Sequence, residues 1–530
     1  MGFELRRRYA AVVVALLVCA GCRSAHKVRD VEYSPLARHE IHARHAAVAR
    51  EAVVNPVVEE LAGPHGVDDY VRFALGQNPS VQATRKMVDA KWQRVTMMAS
   101  LEDPSLSAMS WPSIPHAPQY VNGRMTADVV ASQKIPWHGT LSTQARAAEK
   151  DVNVARAQLA AAELDVIEKV RRAYYELYYV QQALEITRNE RKLLDELSQL
   201  AETKYRNNKA SQQDVLRSQL EVATLDSELV RLNQQLASAQ AALARQLHVS
   251  PDTPVRAISQ LPQEQIPDDL DRLYLAAVAA RPELHAALAA IERDRQKVEL
   301  AHLKYFPDVT VSMGWGPMTR NGAMSAIADG RDNLGVGLMV NVPIYRKRLD
   351  AGVREAEAMV VSGAREYDAL RDQTLEEVKD LFSQATSQNE MLRLFRDNIV
   401  PKADQTLKVS LRAYEVGEID FLQLVDNWRQ VLRFQLAEQR LESQLRQTLA
   451  ALERVVGKYG AEYLEHDCDC GRVPYDYCPP TPLPYQGFCE CPTPVAAEYL
   501  SRLPATDSPG ASPISCSMCW ALSPWFAIGR

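Results

Sequence analysis

Seven cysteines near the C-terminus have the residue type and spacing that suit metal chemistry. They lie within the last 66 residues, together with 11 prolines. Paired thiolates at short spacings can bind soft ions such as Cu(I) or zinc. In an exported, oxidising compartment the same side chains form disulfides instead, and we favour that outcome, with an odd seventh cysteine left over. The candidate metal ligands are Cys468, Cys470, Cys489, Cys491, Cys516 and Cys519.

The other chemically capable residues form no catalytic constellation. Nine of the 13 methionines lie at 87–125 and 313–339, where thioethers could bind Cu(I) or Ag(I), but apolar filler is the favoured interpretation. The chain contains no Gly-rich phosphate loop, no His-Glu-x-x-His motif and no nucleophile elbow. Its net charge is -6 and its basic residues are interspersed with acidic ones. We therefore predict no enzyme activity, no cofactor and no nucleic-acid partner.

The N-terminus has the pattern of an export signal with a lipidation site. Three arginines at 6–8 precede an apolar run at 10–20 that is too short to span a bilayer. The Ala-Gly-Cys sequence ending at Cys22 resembles a bacterial lipobox, although Cys19 replaces the usual leucine. Arg23 follows, whereas lipoproteins kept at the inner membrane typically have Asp there. We therefore predict an outer-membrane lipoprotein that carries lipid, including palmitate, on Cys22. The alternative is an ordinary cleaved signal that leaves Cys22 as a thiol.

The chain contains an internal duplication. Landmark residues recur in the same order, and their separation rises from 203 to 209 residues, which indicates two copies with small insertions. This period is far longer than that of solenoid repeats, so each copy is a whole substructure. The matching landmarks are Asn78-Pro79 with Arg281-Pro282, Pro104 with Pro307, Pro136 with Pro343, and Tyr205 with Tyr414. The predicted divisions are a signal peptide at 1–21, a linker at 22–67, a first repeat at 68–250, a linker at 251–267, a second repeat at 268–460 and a Pro- and Cys-rich tail at 461–530.

Each copy has the same predicted order of elements. A helix comes first and opens with acidic residues, which suit the positive end of a helix dipole. Two short segments with alternating apolar residues follow, as expected of half-buried strands. The predicted helices are 68–100 and 268–304, and the predicted strands are 105–111, 124–135, 308–316 and 334–342.

Long helical arms follow the strands in both copies. Almost no Gly or Pro occurs between 140 and 250, and apolar residues alternate by fours and threes, as in the a/d seam of a coiled coil. Turns near 206–211 and 415–418 make each array an antiparallel hairpin. An arm from 140 to 205 would be about 100 Å long. The seam positions are Val166, Val170, Ala173, Leu177, Val180 and Leu184, and then Leu225, Leu229, Leu232, Leu236, Ala239 and Leu243.

This order of a helix, a strand pair and a long helical hairpin, repeated twice, resembles the TolC-like outer-membrane efflux family over roughly 68–460. The resemblance implies a mainly α fold with a small β part. Two tandem copies each supply a long antiparallel coiled-coil hairpin, and the four strands per chain contribute to a trimeric 12-stranded transmembrane β-barrel. The segments that carry it are Ala74-Leu75 with Asn78-Pro79, Ala173-Tyr174-Tyr175-Glu176-Leu177, Lys204-Tyr205, Ser211, Asp214-Val215-Leu216, Ala413-Tyr414-Glu415-Val416-Gly417 and Phe421-Leu422-Gln423-Leu424-Val425-Asp426.

Elementary physics agrees with this expectation. After the signal, no segment offers about 20 consecutive apolar residues, so we expect no transmembrane helix. A chain that crosses lipid without one must do so as a closed barrel, because an open sheet edge leaves backbone groups unpaired. Four strands cannot close by themselves, so sister chains are needed. Trp111 and Trp315 at strand ends suit either interfacial anchors or ordinary aromatic packing.

The resemblance also implies roles for the hairpin turns, which should form the periplasmic tip. Acidic residues just past the second turn narrow the entrance in this family. Asp426 matches such a position, while Gln423 replaces another expected acid. A ring of three carboxylates would repel itself when closed and attract cations. The candidate gate residues are Asp426, Asp420, Glu418 and Asp214, although Asp420, Glu418 and Asp214 are better explained as solvated turn residues. The candidate adaptor-contact residues are Asn207, Asn208, Lys209, Ser211, Val416 and Gly417.

The predicted function is that of an outer-membrane exit duct in a tripartite efflux system. A homotrimer would passively conduct solutes delivered by an inner-membrane pump through a periplasmic adaptor. The alternatives are the outer-membrane duct of a type I protein secretion system and a non-conducting coiled-coil tether between envelope layers. Paired strands at equivalent places in both copies speak against a tether, which needs no strands. The sequence does not identify the cargo, and membership of a heavy-metal branch is one interpretation of the methionines.

Overall fold

A computed structural model describes residues 57–113, 116–262 and 266–457 of the chain. The predicted lipidation site Cys22 and the candidate metal-binding cysteines of the tail lie outside these residues. The helices are α1 Val67–Gln77, α2 Pro79–Ala99, α3 Thr140–Arg206, α4 Gln212–Leu247, α5 Leu270–Ala280, α6 Pro282–Leu303, α7 Arg346–Leu394, α8 Val400–Val416 and α9 Phe421–Val456. The strands are β1 Gly63–His65, β2 Ser105–Ser110, β3 Gln119–Tyr120, β4 Gly123–Met125, β5 Ala127–Ile135, β6 Val255–Ala257, β7 Val309–Gly316, β8 Met318–Thr319 and β9 Asn333–Val340. A mainly α fold with a small β part and duplicated long hairpins is thereby confirmed.

The helix that begins each copy is broken in two, so the predictions of single helices at 68–100 and 268–304 were wrong at one point each. Pro79 and Pro282 occupy the first turns of α2 and α6. A residue that precedes proline is disfavoured in the helical region, and proline itself is best accommodated in the first turn of a helix. Asn78 accordingly has φ -64° and ψ 121°, and Arg281 has φ -62° and ψ 119°. Both landmarks of the duplication are therefore helix junctions.

The four predicted strands form one antiparallel sheet in the order β2-β5-β7-β9. The strand predicted at 124–135 is divided: β4 leaves this sheet and pairs with β3 and β8 in a second, three-stranded sheet. In the four-stranded sheet β2 and β9 are the edges. Among the described residues each has one pairing partner, which leaves one row of backbone groups on each edge strand without a partner there.

The two faces of this sheet differ in composition. On one face, Val311, Met313 and Trp315 of β7 lie opposite apolar residues of β9. On the other face the pairs are Thr310 with Met339, Ser312 with Gly337 and Gly314 with Gly335. The apolar face of β9 is exposed in the single chain, at 67% for Leu334, 76% for Val336 and 71% for Leu338. A soluble sheet would bury such a face, so this surface needs an apolar environment.

A parallel pair of short strands, β1 and β6, was not predicted, and the two strands lie in the two segments expected to be linkers. Val255 and Ala257 of β6 pack into a core with α1, α3 and α4. Tyr70 and Tyr174 are buried there, and their hydroxyl groups donate to the Arg256 and His65 carbonyls, each at 3.0 Å. Three-residue strands are too short for an alternation pattern, which is why the sequence did not indicate them.

The two hairpins retain the duplication in detail. Asn208 and Gly417, 209 residues apart, both have left-handed φ angles of 56° and 87° at the turns. His248 and Gly457, again 209 apart, have φ angles of 58° and 80° at the ends of α4 and α9. These four positions fix the correspondence between the tips and return arms of the two copies.

One extra residue lies in the first arm of the second copy. The buried pair Val170 and Val378 is 208 residues apart, whereas Tyr205 and Tyr414 are 209 apart. Between them lies a π-helix, Phe395–Ile399, which joins α7 to α8. A π-turn accommodates a one-residue insertion without ending the helix. This arm, from α7 to α8, is therefore not one regular α-helix, and the heptad pattern had not indicated that interruption.

The hairpin helices pack side by side. Helix α4 packs on α3, α3 packs on α9, and α9 packs on α7 and α8. Most of the predicted seam is buried, including Val170, Leu177 and Leu243. Among the residues that the structure describes, no helix has a stretch long and apolar enough to cross a bilayer.

Candidate functional site at the hairpin turns

The turn between α3 and α4 is closed by its own side chains. Ser211 Oγ accepts the Asp214 N–H at 3.2 Å, and Asp214 Oδ2 accepts the Ser211 N–H at 3.1 Å. This reciprocal capping box begins α4 and satisfies two backbone donors. Asp214 therefore acts as a helix cap, as its interpretation as a first-turn residue expects. The exposed residues at this turn are Asn207, Asn208, Lys209 and Ser211.

The turn between α8 and α9 depends on a glycine. Gly417 has φ 87°, a left-handed conformation that costs other residues free energy. The Glu418 N–H donates to the Ala413 carbonyl at 2.8 Å, which closes the end of α8. Val416 is 73% exposed and Gly417 is exposed, so both predicted contact residues are accessible. Glu418 and Asp420 are exposed as well.

An apolar cluster joins the two hairpins behind their turns. Leu194 and Leu197 of α3 pack there with Phe421, Leu424 and other residues of α9. Burying such side chains contributes about 1.5–3 kcal/mol each. The two turns are therefore held to one another.

Polar contacts also join the hairpins, two of them made by α3. The buried Trp428 Nε1 donates to Glu190 Oε2 at 2.7 Å, linking α9 to α3. Burial raises the pKa of the Glu190 carboxyl, and the indole hydrogen bond opposes that rise. The Lys204 ammonium group donates to the Tyr414 carbonyl and lies 4.1 Å from the Tyr414 ring centroid, a cation–π contact.

The side chain of Tyr414 interacts with residues of both turns. Burial, assisted by the negative charge of Asp214, raises the pKa of Tyr414 to about 12. The Tyr414 ring also packs against Phe421 at a centroid distance of 5.6 Å. The first turn, through Asp214, is thus close enough to the second hairpin to act on it electrostatically.

The candidate gate residue Asp426 is ion-paired. Arg429, three residues further along α9, places Nη1 3.3 Å from Asp426 Oδ1. The same guanidinium also donates to Glu221 of α4, whose side chain is 9% exposed. Asp426 and Arg429 are each 50% exposed. One cation is therefore shared by a solvent-facing carboxylate and a nearly buried one.

Sequence reasoning found the turns but missed the residues that join them. The structure adds a set of interhairpin side chains: Glu190, Lys204, Glu221, Trp428 and Arg429. The spacing of Asp426 and Arg429 by three residues on one helix was a usable signal for their ion pair. No sequence spacing could have revealed the pairing of Glu221 with Arg429, because these residues are 208 positions apart.

The described residues bear on only part of the metal interpretations, because the tail cysteines lie outside them. Among the described residues, no group of three or more His, Cys, Asp or Glu side chains is arranged to hold a metal ion. The strand methionines are divided between the two faces of the sheet: Met313 is on the apolar face, and Met339 is on the face rich in Gly and Ser. The interpretation of the cysteine-rich tail remains a prediction.

Comparisons with known proteins give a consistent assignment. The family profile described as "Outer membrane efflux protein" matches residues 71–247 and 273–458. The cobalt-zinc-cadmium resistance protein CzcC of Cupriavidus metallidurans is 22% identical over 413 residues, which is 75% of this chain and 91% of that protein.

Two solved structures share the fold. The outer membrane protein VceC of Vibrio cholerae superposes with a TM-score of 0.62 at 20% identity, over 74% of this chain and 96% of that one. CusC, whose structures describe folding and transmembrane channel formation, superposes with a TM-score of 0.63 at 15% identity, over 75% of this chain and 94% of that one.

Proposed function

Because the chain belongs to the outer membrane efflux protein family, we propose that it is the outer-membrane exit duct of a tripartite efflux system. In this role it conducts solutes passively and catalyses no reaction. An inner-membrane pump provides the energy, and a periplasmic adaptor connects the pump to the hairpin turns. The observation that carries the proposal is the four-stranded sheet, with one exposed apolar face, one polar and glycine-rich face, and two unpaired edges.

The sheet supports a trimeric barrel. In lipid every backbone group needs a partner, so the free edges of β2 and β9 require strands from sister chains. The apolar face, with Leu334, Val336 and Leu338, would contact lipid. The opposite face, with Ser312, Gly335 and Gly337, would line the lumen, where small and polar residues leave room for water. Three chains would supply twelve strands.

The exposed turns support docking of an adaptor. Asn207, Asn208 and Lys209 at the first turn, and Val416 and Gly417 at the second, all face solvent. The apolar cluster behind the turns holds them as a pair. A docking protein would therefore meet a preformed surface and would not have to order a mobile loop.

Asp426 remains our candidate for the acidic gate, in a modified form. Three copies of Asp426 around an axis would form a carboxylate ring, but each is paired with Arg429 at 3.3 Å. A paired carboxylate attracts cations less strongly than a free one. The gate would therefore be only weakly cation-selective while this pair is intact.

We also propose that Cys22 is lipidated and anchors the protein to the outer membrane. The support is the Ala-Gly-Cys sequence followed by Arg23. Loss of membrane retention or of the lipid mass shift in a Cys22→Ala variant would support this assignment, and unchanged mass and retention would refute it.

Divalent metal cations are the cargo class that we propose. CzcC, named for cobalt, zinc and cadmium resistance, aligns over 91% of its length. A deletion strain should become more sensitive to these three metals and recover with the wild-type gene. Unchanged metal tolerance together with a gained sensitivity to antibiotics would assign a different cargo. Loss of secretion of a large polypeptide would favour the type I secretion duct.

Single-channel recording tests the duct itself. Purified protein reconstituted in a planar lipid bilayer should give stepwise currents. A tether would give none. Absence of current from protein that is correctly oligomeric and rich in β signal would refute the proposed function.

A further inference from the structure

The exposed apolar surface of the four-stranded sheet extends beyond β9 towards the long helices. On β9 this face consists of even-numbered residues. Exposed apolar residues continue to alternate with others through Val340, Val342 and Ile344, which are 48%, 67% and 66% exposed. Strand β9 ends at Val340, so the apolar surface reaches the start of α7.

Aromatic side chains lie at the same end of the sheet. Trp137 follows β5 and Phe306 precedes β7, and their rings stack with centroids 5.0 Å apart and an interplanar angle of 11°. Tyr345, the N-cap residue of α7, is 71% exposed. Aromatic rings at the edge of an apolar surface are typical of the boundary between lipid tails and headgroups. This end of the sheet therefore has the composition of a membrane interface.

Three consecutive cations begin α7 next to these aromatic residues. Arg346, Lys347 and Arg348 form this basic triplet, and all three are exposed. Within the part of the chain that the structure describes, none of them is ion-paired with a carboxylate, and Arg346 instead lies over the Tyr305 ring, 5.5 Å from its centroid. The first turn of a helix is the positive end of its dipole, where cations are unfavourable. The stability of α7 therefore does not explain the triplet.

The duplication shows that the strand-to-helix connection does not need these charges. The junction of β9 with α7 corresponds to that of β5 with α3, 207 residues earlier, as the matched prolines Pro136 and Pro343 show. The counterparts of the triplet are Gly139, Thr140 and Leu141, which carry no charge. Both junctions lead into a long helix. The triplet therefore adds a property beyond the fold.

A neighbouring cation on the other face of the sheet is balanced inside the chain. Lys134 lies opposite Thr310, on the face rich in Gly and Ser, and its ammonium group lies 3.3 Å from Asp308 Oδ2. The basic triplet has no such carboxylate among the described residues. Positive charge beside an exposed apolar surface is complementary to a lipid that has an anionic headgroup.

We propose that the basic triplet binds the headgroups of anionic phospholipids. This inference rests on the proposed trimeric duct, in which the long helices lie on the periplasmic side and this end of the sheet meets the inner leaflet of the outer membrane. The occupant is that leaflet: its acyl chains contact the apolar surface, and its phosphate groups contact the cations. Three chains repeat the triplet around the barrel. The site thus selects the lipids that surround the duct.

Native mass spectrometry of the full-length protein in a neutral detergent tests the site. The trimer is titrated with phosphatidylglycerol, which is anionic, or with phosphatidylcholine, which has no net charge. Each basic residue near an anionic membrane surface strengthens binding by about fivefold, so wild type should bind phosphatidylglycerol about tenfold or more tighter than phosphatidylcholine, after screening by salt. The variant Arg346→Gln/Lys347→Gln/Arg348→Gln should bind the two lipids alike. Arg346→Lys/Arg348→Lys keeps the charge and should keep the preference.

A matched control removes the same charge elsewhere. Lys192→Gln/Arg393→Gln/Lys402→Gln changes three exposed cations on the hairpins. Position 393 lies about 70 Å from position 346 along α7, at 1.5 Å per residue. This control should therefore bind both lipids as the wild type does.

The outcomes separate this site from the duct. A wild-type trimer that binds both lipids equally refutes the headgroup site and leaves the duct standing, and so does an equal loss of phosphatidylglycerol in the triplet variant and the control. A triplet variant with unchanged lipid binding but altered ion selectivity in single-channel recordings would place the cations in the lumen and also refute the site. Absence of any wild-type trimer refutes the proposed function itself.

Discussion

The shared guanidinium of Arg429 gives the sharpest quantitative prediction. Arg429→Gln removes the cation that pairs with Glu221, whose side chain is only 9% exposed. Stranding a fully buried charge costs about 3–5 kcal/mol. Because Arg429 is 50% exposed, water can reach the site, and we expect the smaller loss of about 1–3 kcal/mol.

Hydrogen–deuterium exchange of the assembled protein measures this loss locally. Amides of α4 near 216–225 and of α9 near 421–432 should exchange roughly 5- to 150-fold faster, because 1.4 kcal/mol corresponds to a factor of ten in the opening equilibrium. The matched control is Arg191→Gln. It breaks the Arg191–Asp226 pair, whose side chains are 38% and 51% exposed, and such surface pairs contribute about 0–1 kcal/mol.

A double variant distinguishes a stranded charge from general damage. Arg429→Gln with Glu221→Gln removes both charges, so most of the lost protection should return. Exchange in Arg429→Gln no faster than in Arg191→Gln would refute the reasoning. So would a double variant that exchanges as fast as the single one.

Four further predictions follow from individual contacts. Arg429→Gln frees Asp426, so block of single-channel current by multivalent cations should strengthen, and it should disappear in Asp426→Ala if that carboxylate is the gate. Trp428→Phe keeps the buried ring but removes the 2.7 Å bond to Glu190, so exchange at the tip should accelerate by roughly 5- to 30-fold, about 1–2 kcal/mol, whereas equal protection would deny the bond a role. Gly457→Ala would put a Cβ 2.5 Å from the Ala280 carbonyl oxygen at φ +80° and should destabilise the end of α9 by about 1 kcal/mol or more, measured by limited proteolysis. The control Gly352→Ala, which has open space around it in α7, should be neutral or stabilising by up to about 1 kcal/mol in the same assay. Burial alone would raise the pKa of Glu283, but the hydrogen bond from Arg454 lowers this pKa overall. The carboxylate therefore contributes stability above its unfolded pKa of about 4.3, and this contribution is lost as the pH falls through the lower folded pKa. Acid unfolding of Glu283→Gln should lack that step, and an acid profile identical to the wild type would contradict the assignment.

The large elements could be predicted because they are periodic. The heptad spacing of Val166, Val170 and Leu177 extends over many turns of α3, and such long signals survive local exceptions. Alternation over Val309–Gly316 predicted β7 for the same reason. The duplication reinforced both, since each pattern occurs twice. The prediction missed the helix breaks before Pro79 and Pro282. Those breaks follow from the conformational restriction of a residue that precedes proline.

The remaining features depend on residues far apart in sequence. The hydroxyl groups of Tyr70 and Tyr174 donate hydrogen bonds to backbone carbonyls of the three-residue strands β6 and β1, and these contacts stabilise the strands. No local sequence pattern contains that information. The π-helix at Phe395–Ile399 is visible only as a change of one in the spacing between the two copies. At the turns, Asp426 was a sound candidate from its position, but its neutralisation by an arginine shared with Glu221 required the folded hairpins.

The central claim is that one chain supplies only part of a closed tube. Native mass spectrometry of the detergent-solubilised protein tests it most directly by counting subunits. A mass of three chains that persists across protein concentrations is the result we predict. A stable single chain, with the edges of β2 and β9 left unpaired, would contradict it.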